Sequence, residues 1–229
     1  MTLTRRFAGL GLGFICLLTG TGLAWGQQPV APASGHDHAA HQQLARIDGQ
    51  ITLDEHAAHR AALATPGYSV STQLYTVPDV ALVDESGASV SLRSLLDSGQ
   101  PVAVNFIFTT CTTICPVMTS IFTQMRHQLG ESGTGMRLVS ISIDPEYDRP
   151  GKLKQYAERF GVGPGWTFLT GDGADIAQVL QSFDALRGSK MNHRPLTLLK
   201  RPRSPDWIRI DGLANGEELA QEVTARLLN

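Results

Sequence analysis

The run Val102-Ala103-Val104-Asn105-Phe106-Ile107-Phe108 constrains this chain more than any other stretch. A strand with one wet face alternates apolar and polar residues, whereas a nearly continuous apolar run fits a strand covered by helices on both faces. The flanking pattern agrees. Residues 80–83 and 89–92 bracket Asp84-Glu85-Ser86-Gly87, which has hairpin chemistry. After Pro101 and the apolar run, residues 116–129 predict a helix, with Met118, Ile121, Phe122 and Met125 at helical spacing and Pro116 in the first turn, where no amide donor is missed. Residues 137–143 predict a second buried strand ended by Asp144-Pro145, and 151–160 a helix closed by Gly161. A strand at 166–169, a helix at 174–186, strands at 196–199 and 207–210 and a helix at 216–228 complete the series. The order β-β-β-α-β-α-β-α-β-β-α predicts an α/β fold, with a central mixed sheet flanked by helices and an N-terminal β-hairpin.

Ahead of this body the chain changes character. Arg5 and Arg6 precede an apolar, Gly-rich run over residues 7–23, and Ala24-Trp25-Gly26 offers small residues where a signal peptidase reads. Residues 1–26 are therefore expected to be a signal peptide cleaved after Gly26. Two other readings stay open, since the run is just long enough for an uncleaved membrane anchor and Arg5-Arg6 has the form of a twin-arginine signal. Gly13-Phe14-Ile15 is too bulky for a lipoprotein signal at Cys16. Either way the body is expected outside the cytoplasm, where disulfides persist. Without residues 1–26, 17 basic residues face 21 acidic ones, a net charge of −4 that gives no sign of nucleic-acid binding.

Residues 27–67 are rich in Ala, His, Gln and Pro and are expected to be a flexible linker, leaving 68–229 as the folded domain. The linker holds five of the seven histidines: His36, His38 and His41, then His56 and His59. Imidazoles two to three residues apart suit a soft or borderline cation such as copper or zinc, but a polar tether with no fixed site explains them equally well.

Beyond residue 26 the cysteines are Cys111 and Cys115, in a Cys-x-x-x-Cys-Pro motif between the apolar strand and the next helix. The helix start aims free amides and the positive end of its dipole at the sulfurs, which favours thiolate. Such a pair either closes a disulfide or holds a soft cation. A plain disulfide staple is the bland alternative, yet a five-residue loop at one turn would staple almost nothing.

The segment Asn105-Phe106-Ile107-Phe108-Thr109-Thr110-Cys111-Thr112-Thr113-Ile114-Cys115-Pro116-Val117-Met118 resembles the signature of the Sco/SenC family, thioredoxin-like proteins of copper delivery to cytochrome c oxidase. Val139-Ser140-Ile141-Ser142-Ile143-Asp144-Pro145-Glu146-Tyr147-Asp148, Trp166-Thr167-Phe168-Leu169-Thr170-Gly171 and Lys190-Met191-Asn192-His193 are similar to later family segments. The resemblance implies a thioredoxin-like fold for 68–229 and copper ligands at Cys111, Cys115 and His193. Two thiolates and an imidazole suit Cu(I), while Cu(II) needs a further oxygen or nitrogen donor. The implied partners are the copper-binding subunit of the oxidase and other copper chaperones or thiol reductants. The implied location is the bacterial periplasm, as a soluble protein or one held at the inner membrane through residues 7–23. The family usually has Asp before this histidine and Ser or Thr after it; here the neighbours are Asn192 and Arg194.

Two chemistries follow. As a metallochaperone, the protein holds copper on Cys111, Cys115 and His193 and passes it on. As a thiol-disulfide oxidoreductase, it uses Cys111 as nucleophile and Cys115 as resolving thiol, keeping the recipient's cysteines reduced. Dedicated thiol-exchange proteins use Cys-x-x-Cys, and only the metal site needs His193, so the chaperone ranks first. A peroxiredoxin-type reaction ranks last, because its Pro-x-x-x-Thr-x-x-Cys pattern is missing at both cysteines. Asp144 and Asp148 are expected to cap the strand-to-helix turn and the following helix. His127 is expected on the outer face of its helix, Met118 and Met125 in the core, and Met191 as a minor donor at most.

Overall fold

The structure is a computed structural model that describes residues 67–185 and 188–228. The expected signal peptide and nearly all of the linker, with His36, His38, His41, His56 and His59, lie outside the described residues. Among the described residues no helix is long and apolar enough to cross a membrane.

The apolar run forms β4 (Val102–Ile107), buried at every position and paired on both sides. It runs parallel to β5 (Arg137–Ser142), which runs parallel to β6 (Trp166–Thr170). On its other side β4 meets β7 (Leu196–Lys200) antiparallel, and β7 pairs with β8 (Asp206–Gly212). The expected hairpin is β2 (Ala81–Asp84) with β3 (Ser89–Ser91), joined to β6 through β2. A strand not foreseen, β1 (Tyr68–Leu74), completes an eight-stranded mixed sheet in the order β1-β8-β7-β4-β5-β6-β2-β3. The predicted strand end at Leu92 is instead the start of a short helix, α1 (Leu92–Leu96), capped by the Ser91 side chain with Leu92 and Leu96 buried one turn apart.

Alternation along β4 assigns its two faces. On the Asn105 face lie α2 (Ile114–Leu129) and α3 (Pro150–Arg159), whose Phe122, Tyr156 and neighbouring Phe160 join Trp166 and Phe168 in one aromatic cluster. The Asn105 amide oxygen accepts from Ser140 Oγ at 2.7 Å, and Trp166 Nε1 donates to Ser140 Oγ at 2.9 Å, so this polar pocket inside the core is partly satisfied. On the Phe106 face, Phe183, Trp207 and Tyr75 pack edge to face beyond the end of α4 (Gly173–Ser182). That helix stops four residues short of its expected end at 186. The last helix, α5 (Gly216–Val223), packs tightly on α2: a Cβ at Gly216 would lie 2.4 Å from Gln124 Cβ.

Parallel pairing puts the C-terminal ends of β4, β5 and β6 at one pole of the sheet. Because β7 is antiparallel to β4, its start lies at that pole, and so do the end of β8 and the start of β1. Gly212 closes this corner at φ +104°, with Gly67 O so near that no side chain would fit.

Candidate dithiol and metal site

At this pole β4 runs into the turn that carries Cys111, and Cys115 is the second residue of α2. Both are free thiols and both are buried. The turn is held from beneath. Cys111 N donates to Phe108 O at 3.1 Å, Thr109 N donates to Asp148 Oδ2 at 3.0 Å and Thr109 Oγ1 donates to Asp148 Oδ1 at 2.5 Å. Ser142 Oγ adds a third donor to the same carboxylate at 2.6 Å. Asp148 is thus fully buried and satisfied by donors from two strand ends. This corrects the helix-cap expectation: Arg149 occupies the cap position of α3, without a side-chain bond, because Asp148 is drawn inward by Thr109 and Ser142.

The two sulfurs are electrostatically unlike. Burial disfavours the Cys111 thiolate, but amide donors from Cys115 and Thr113, then the Cys115 thiol and the Thr113 hydroxyl, outweigh it and bring its pKa down to about 7. The Cys115 amide, at 3.4 Å from Cys111 Sγ, is one of the free donors of the helix start. Cys115 goes the other way, pushed up to about 12, first by burial and further by its neighbours Cys111 and Asp148, although the Phe108 amide opposes this. The expectation that the helix start lowers both thiols therefore holds for Cys111 alone. Cys115 sits inside the core, where loss of water outweighs the helix dipole. Beneath it, Tyr156 donates to Thr119 Oγ1 at 2.8 Å and Thr119 Oγ1 donates to Cys115 O at 3.0 Å.

His193 arrives on a second turn at the same pole. A 3-10 turn, Lys190–Asn192, is capped by Ser189; His193 N donates to Lys190 O at 3.1 Å, and β7 begins three residues later. Both ring nitrogens of His193 are buried and have no hydrogen-bond partner. Burial lowers its pKa, so the imidazole is held neutral, the form that binds a metal. Its turn is tied across the pole by Lys190, whose ammonium lies 2.5 Å from Asp144 Oδ2 and 5.8 Å from the centroid of the Phe108 ring. Asp144, expected to cap this turn with its side chain, instead meets Lys190 with its carboxylate, and the turn is closed by its backbone oxygen, which accepts Tyr147 N and Asp148 N.

The structure brings Cys111 and Cys115 together and puts the His193 turn at the same end of the sheet. Among the described residues no three His, Cys, Asp or Glu side chains form a cluster that would hold a metal as they stand. The donor chemistry nevertheless fits a soft cation: two sulfurs, one partly thiolate at neutral pH, and a neutral imidazole with unsatisfied nitrogens. Met118 and Met125 are in the core and His127 is exposed, as expected; Met191 is 77% exposed. The support that Asp148 gives to Thr109 and the link from Lys190 to Asp144 are what sequence reasoning missed, and no local pattern marks either, because these partners are remote in sequence.

A mixed sheet with a Cys-x-x-x-Cys pair at the turn from a central strand into a helix defines a thioredoxin-like dithiol protein. Within that class the chain belongs to the SCO1/SenC family, which its residues 70–227 match. It is 37% identical over 115 residues to the SCO1 protein homolog of Bacillus subtilis, covering 49% of this chain and 58% of that protein. Among solved structures, it is similar to BsSco, a member of the Sco family of cytochrome c oxidase assembly proteins in which a disulfide switch was identified. Identity there is 30%, the TM-score 0.57, and coverage 68% of this chain and 95% of that one. The ScoI of Bradyrhizobium japonicum, solved with copper bound, is 26% identical with a TM-score of 0.50, covering 66% of this chain and all of that one. The chain spans about half the length of the curated relatives it matches.

Proposed function

We propose that this protein is a copper metallochaperone that binds copper through Cys111, Cys115 and His193 and delivers it to the copper-binding subunit of cytochrome c oxidase during assembly. The observation that carries the reading is the buried, unpartnered pair of ring nitrogens on His193, at the same pole as a free dithiol. A buried polar atom without a partner costs about 1–3 kcal/mol, and a ligand role accounts for keeping it. Copper is cargo here. Cys111 gives a thiolate near neutral pH, Cys115 gives up its proton when the soft ion binds, and the neutral imidazole completes a trigonal donor set. Cu(I) suits these three donors, whereas Cu(II) requires an additional oxygen or nitrogen. Copper-bound ScoI and the oxidase-assembly role of BsSco support the reading. The same reading has the domain exported to the periplasm, soluble or tethered through residues 7–23, where copper chaperones and thiol reductants can meet it.

The split between the thiols favours a second activity at the same site, thiol-disulfide exchange. Cys111 thiolate attacks a disulfide of the recipient, forming a mixed disulfide as one recipient thiolate leaves. Cys115, once deprotonated, attacks Cys111 Sγ, and the second recipient thiolate departs. The recipient gains two electrons, the Cys111–Cys115 pair loses two, and an external thiol reductant restores the pair.

Anaerobic Cu(I) titration of the reduced domain tests the order of the two. One equivalent bound tightly, and weakened in Cys111→Ser, Cys115→Ser and His193→Ala, is the expected result. Copper binding indifferent to His193, together with intact reduction of a disulfide substrate, would replace the chaperone with the oxidoreductase.

A further inference from the structure

The turn bearing His193 makes mostly local hydrogen bonds: Asn192 N to Ser189 O, His193 N to Lys190 O and Met191 N to Ser189 Oγ. These shape the turn but do not locate it relative to the cysteines. Lys190 does. Its ammonium meets a carboxylate whose side chain is only 10% exposed, in a charge-assisted bond of 2.5 Å, and lies over Phe108, the residue just past β4 on the way to Cys111.

Asp144 is itself fixed. Its amide donates to Ser142 Oγ at 3.0 Å, and Ser142 Oγ donates to Asp148, which grips Thr109 two residues before Cys111. Lys190, Asp144, Ser142, Asp148 and Thr109 therefore form one polar chain from the histidine turn to the cysteine turn. Its two outer links join segments that the sequence keeps apart, Lys190 being 46 positions from Asp144 and Asp148 39 from Thr109, while the links through Ser142 are local.

We propose that Lys190 is a positioning residue for His193: its ion pair with Asp144 latches the histidine turn to the end of β5, presenting the imidazole to the dithiol from a preset position. The inference rests on the copper reading, and it adds that the ligand set is oriented by a cation outside it. Partners of this kind, which touch a ligand's support and not the metal, typically change metal affinity by about 10–100-fold when removed.

The test compares Lys190→Met, Lys190→Arg, His193→Ala and the Lys190→Met/His193→Ala double variant, with Cu(I) as the probe. Lys190→Met is expected to weaken copper about tenfold, Lys190→Arg to restore most of the loss, and the double variant to bind no more weakly than His193→Ala. Additive losses would mean that Lys190 acts elsewhere, and would overturn the latch. A copper-free readout separates the two readings. Carbethoxylation of His193 in the metal-free protein is expected to speed up about tenfold in Lys190→Met and to return in Lys190→Arg. If His193→Ala leaves copper binding intact while this modification rate still responds to Lys190, the copper reading falls and the latch stands. A modification rate indifferent to Lys190 overturns the latch, whatever copper does.

Discussion

The turn that carries Cys111 and the turn that carries His193 share one pole of the sheet and are built in opposite ways. Beneath the cysteines, a buried carboxylate gathers three donors from Thr109 and Ser142, and every polar group in that clamp has a partner. Around the histidine, the contacts are local and one ion pair crosses the pole, while both ring nitrogens are left buried and unpaired. A fully satisfied network fixes geometry, and an unsatisfied group stores free energy that a ligand can release. The cysteine turn is the fixed half of the site and the histidine turn the half with unused bonding capacity.

The sharpest way to break this contrast is Asp148→Ala. It strands the buried Ser142 hydroxyl and the two part-buried donors of Thr109, and should lower stability by about 4 kcal/mol, a fall of roughly 10 °C in Tm by calorimetry. A fall below about 2 °C would mean that the clamp is not what holds the cysteine turn.

Next in size is the difference between the thiols. Iodoacetamide should alkylate Cys111 about a hundredfold faster than Cys115 at neutral pH, as mass spectrometry of timed digests would read. The Cys111 rate should rise through about pH 7 and be lost as pH falls below it. The linked stability has opposite signs at the two sulfurs. Relative to an ordinary thiol at 9.0, the lowered Cys111 contributes stability that is present above pH 9 and lost as pH falls towards 7. The raised Cys115 contributes stability present below pH 9 and lost as pH rises towards 12. Equal alkylation of both cysteines would erase the nucleophile and resolving roles.

A smaller effect has the reverse sign. His193→Leu removes two buried, unpaired nitrogens while keeping apolar bulk, and should raise stability by about 1 kcal/mol, seen as a Tm higher by roughly 3 °C. A destabilised variant would show that the imidazole has a structural partner after all. Smallest of all, Met191→Ala should change both Tm and copper affinity within error, since the side chain is 77% exposed. A clear loss of copper affinity there would make Met191 a donor.

The contrast also explains what the sequence shows and what it hides. β4 and the helices after it are visible because their apolar periodicity is a record of burial. β1 is not: Ser69-Val70-Ser71-Thr72-Gln73 carries little apolar signal, and this edge strand is held by its backbone ladder to β8, from Tyr68↔Gly212 to Leu74↔Asp206. The cysteine motif is local and legible. The split between its thiols depends on which sulfur meets the amides of the helix start and which loses its water inside the core, a difference in three dimensions that spacing alone cannot carry. Asp148 looks like a helix cap for the same reason, because its position ahead of Pro150 is local information whereas Thr109 is 39 residues away.

The corner where Gly67 O accepts from Leu213 N has a mechanical consequence. Since β1 starts at the dithiol pole, a pull applied to the chain ahead of Gly67 is transmitted to that pole. The other end of the domain is remote from it: Arg201, just past the end of β7, donates to the carbonyl of Arg226 at the opposite pole. A domain held on a surface by its N-terminal side therefore turns its cysteines toward the support, and one held by its C-terminal side turns them to the solution.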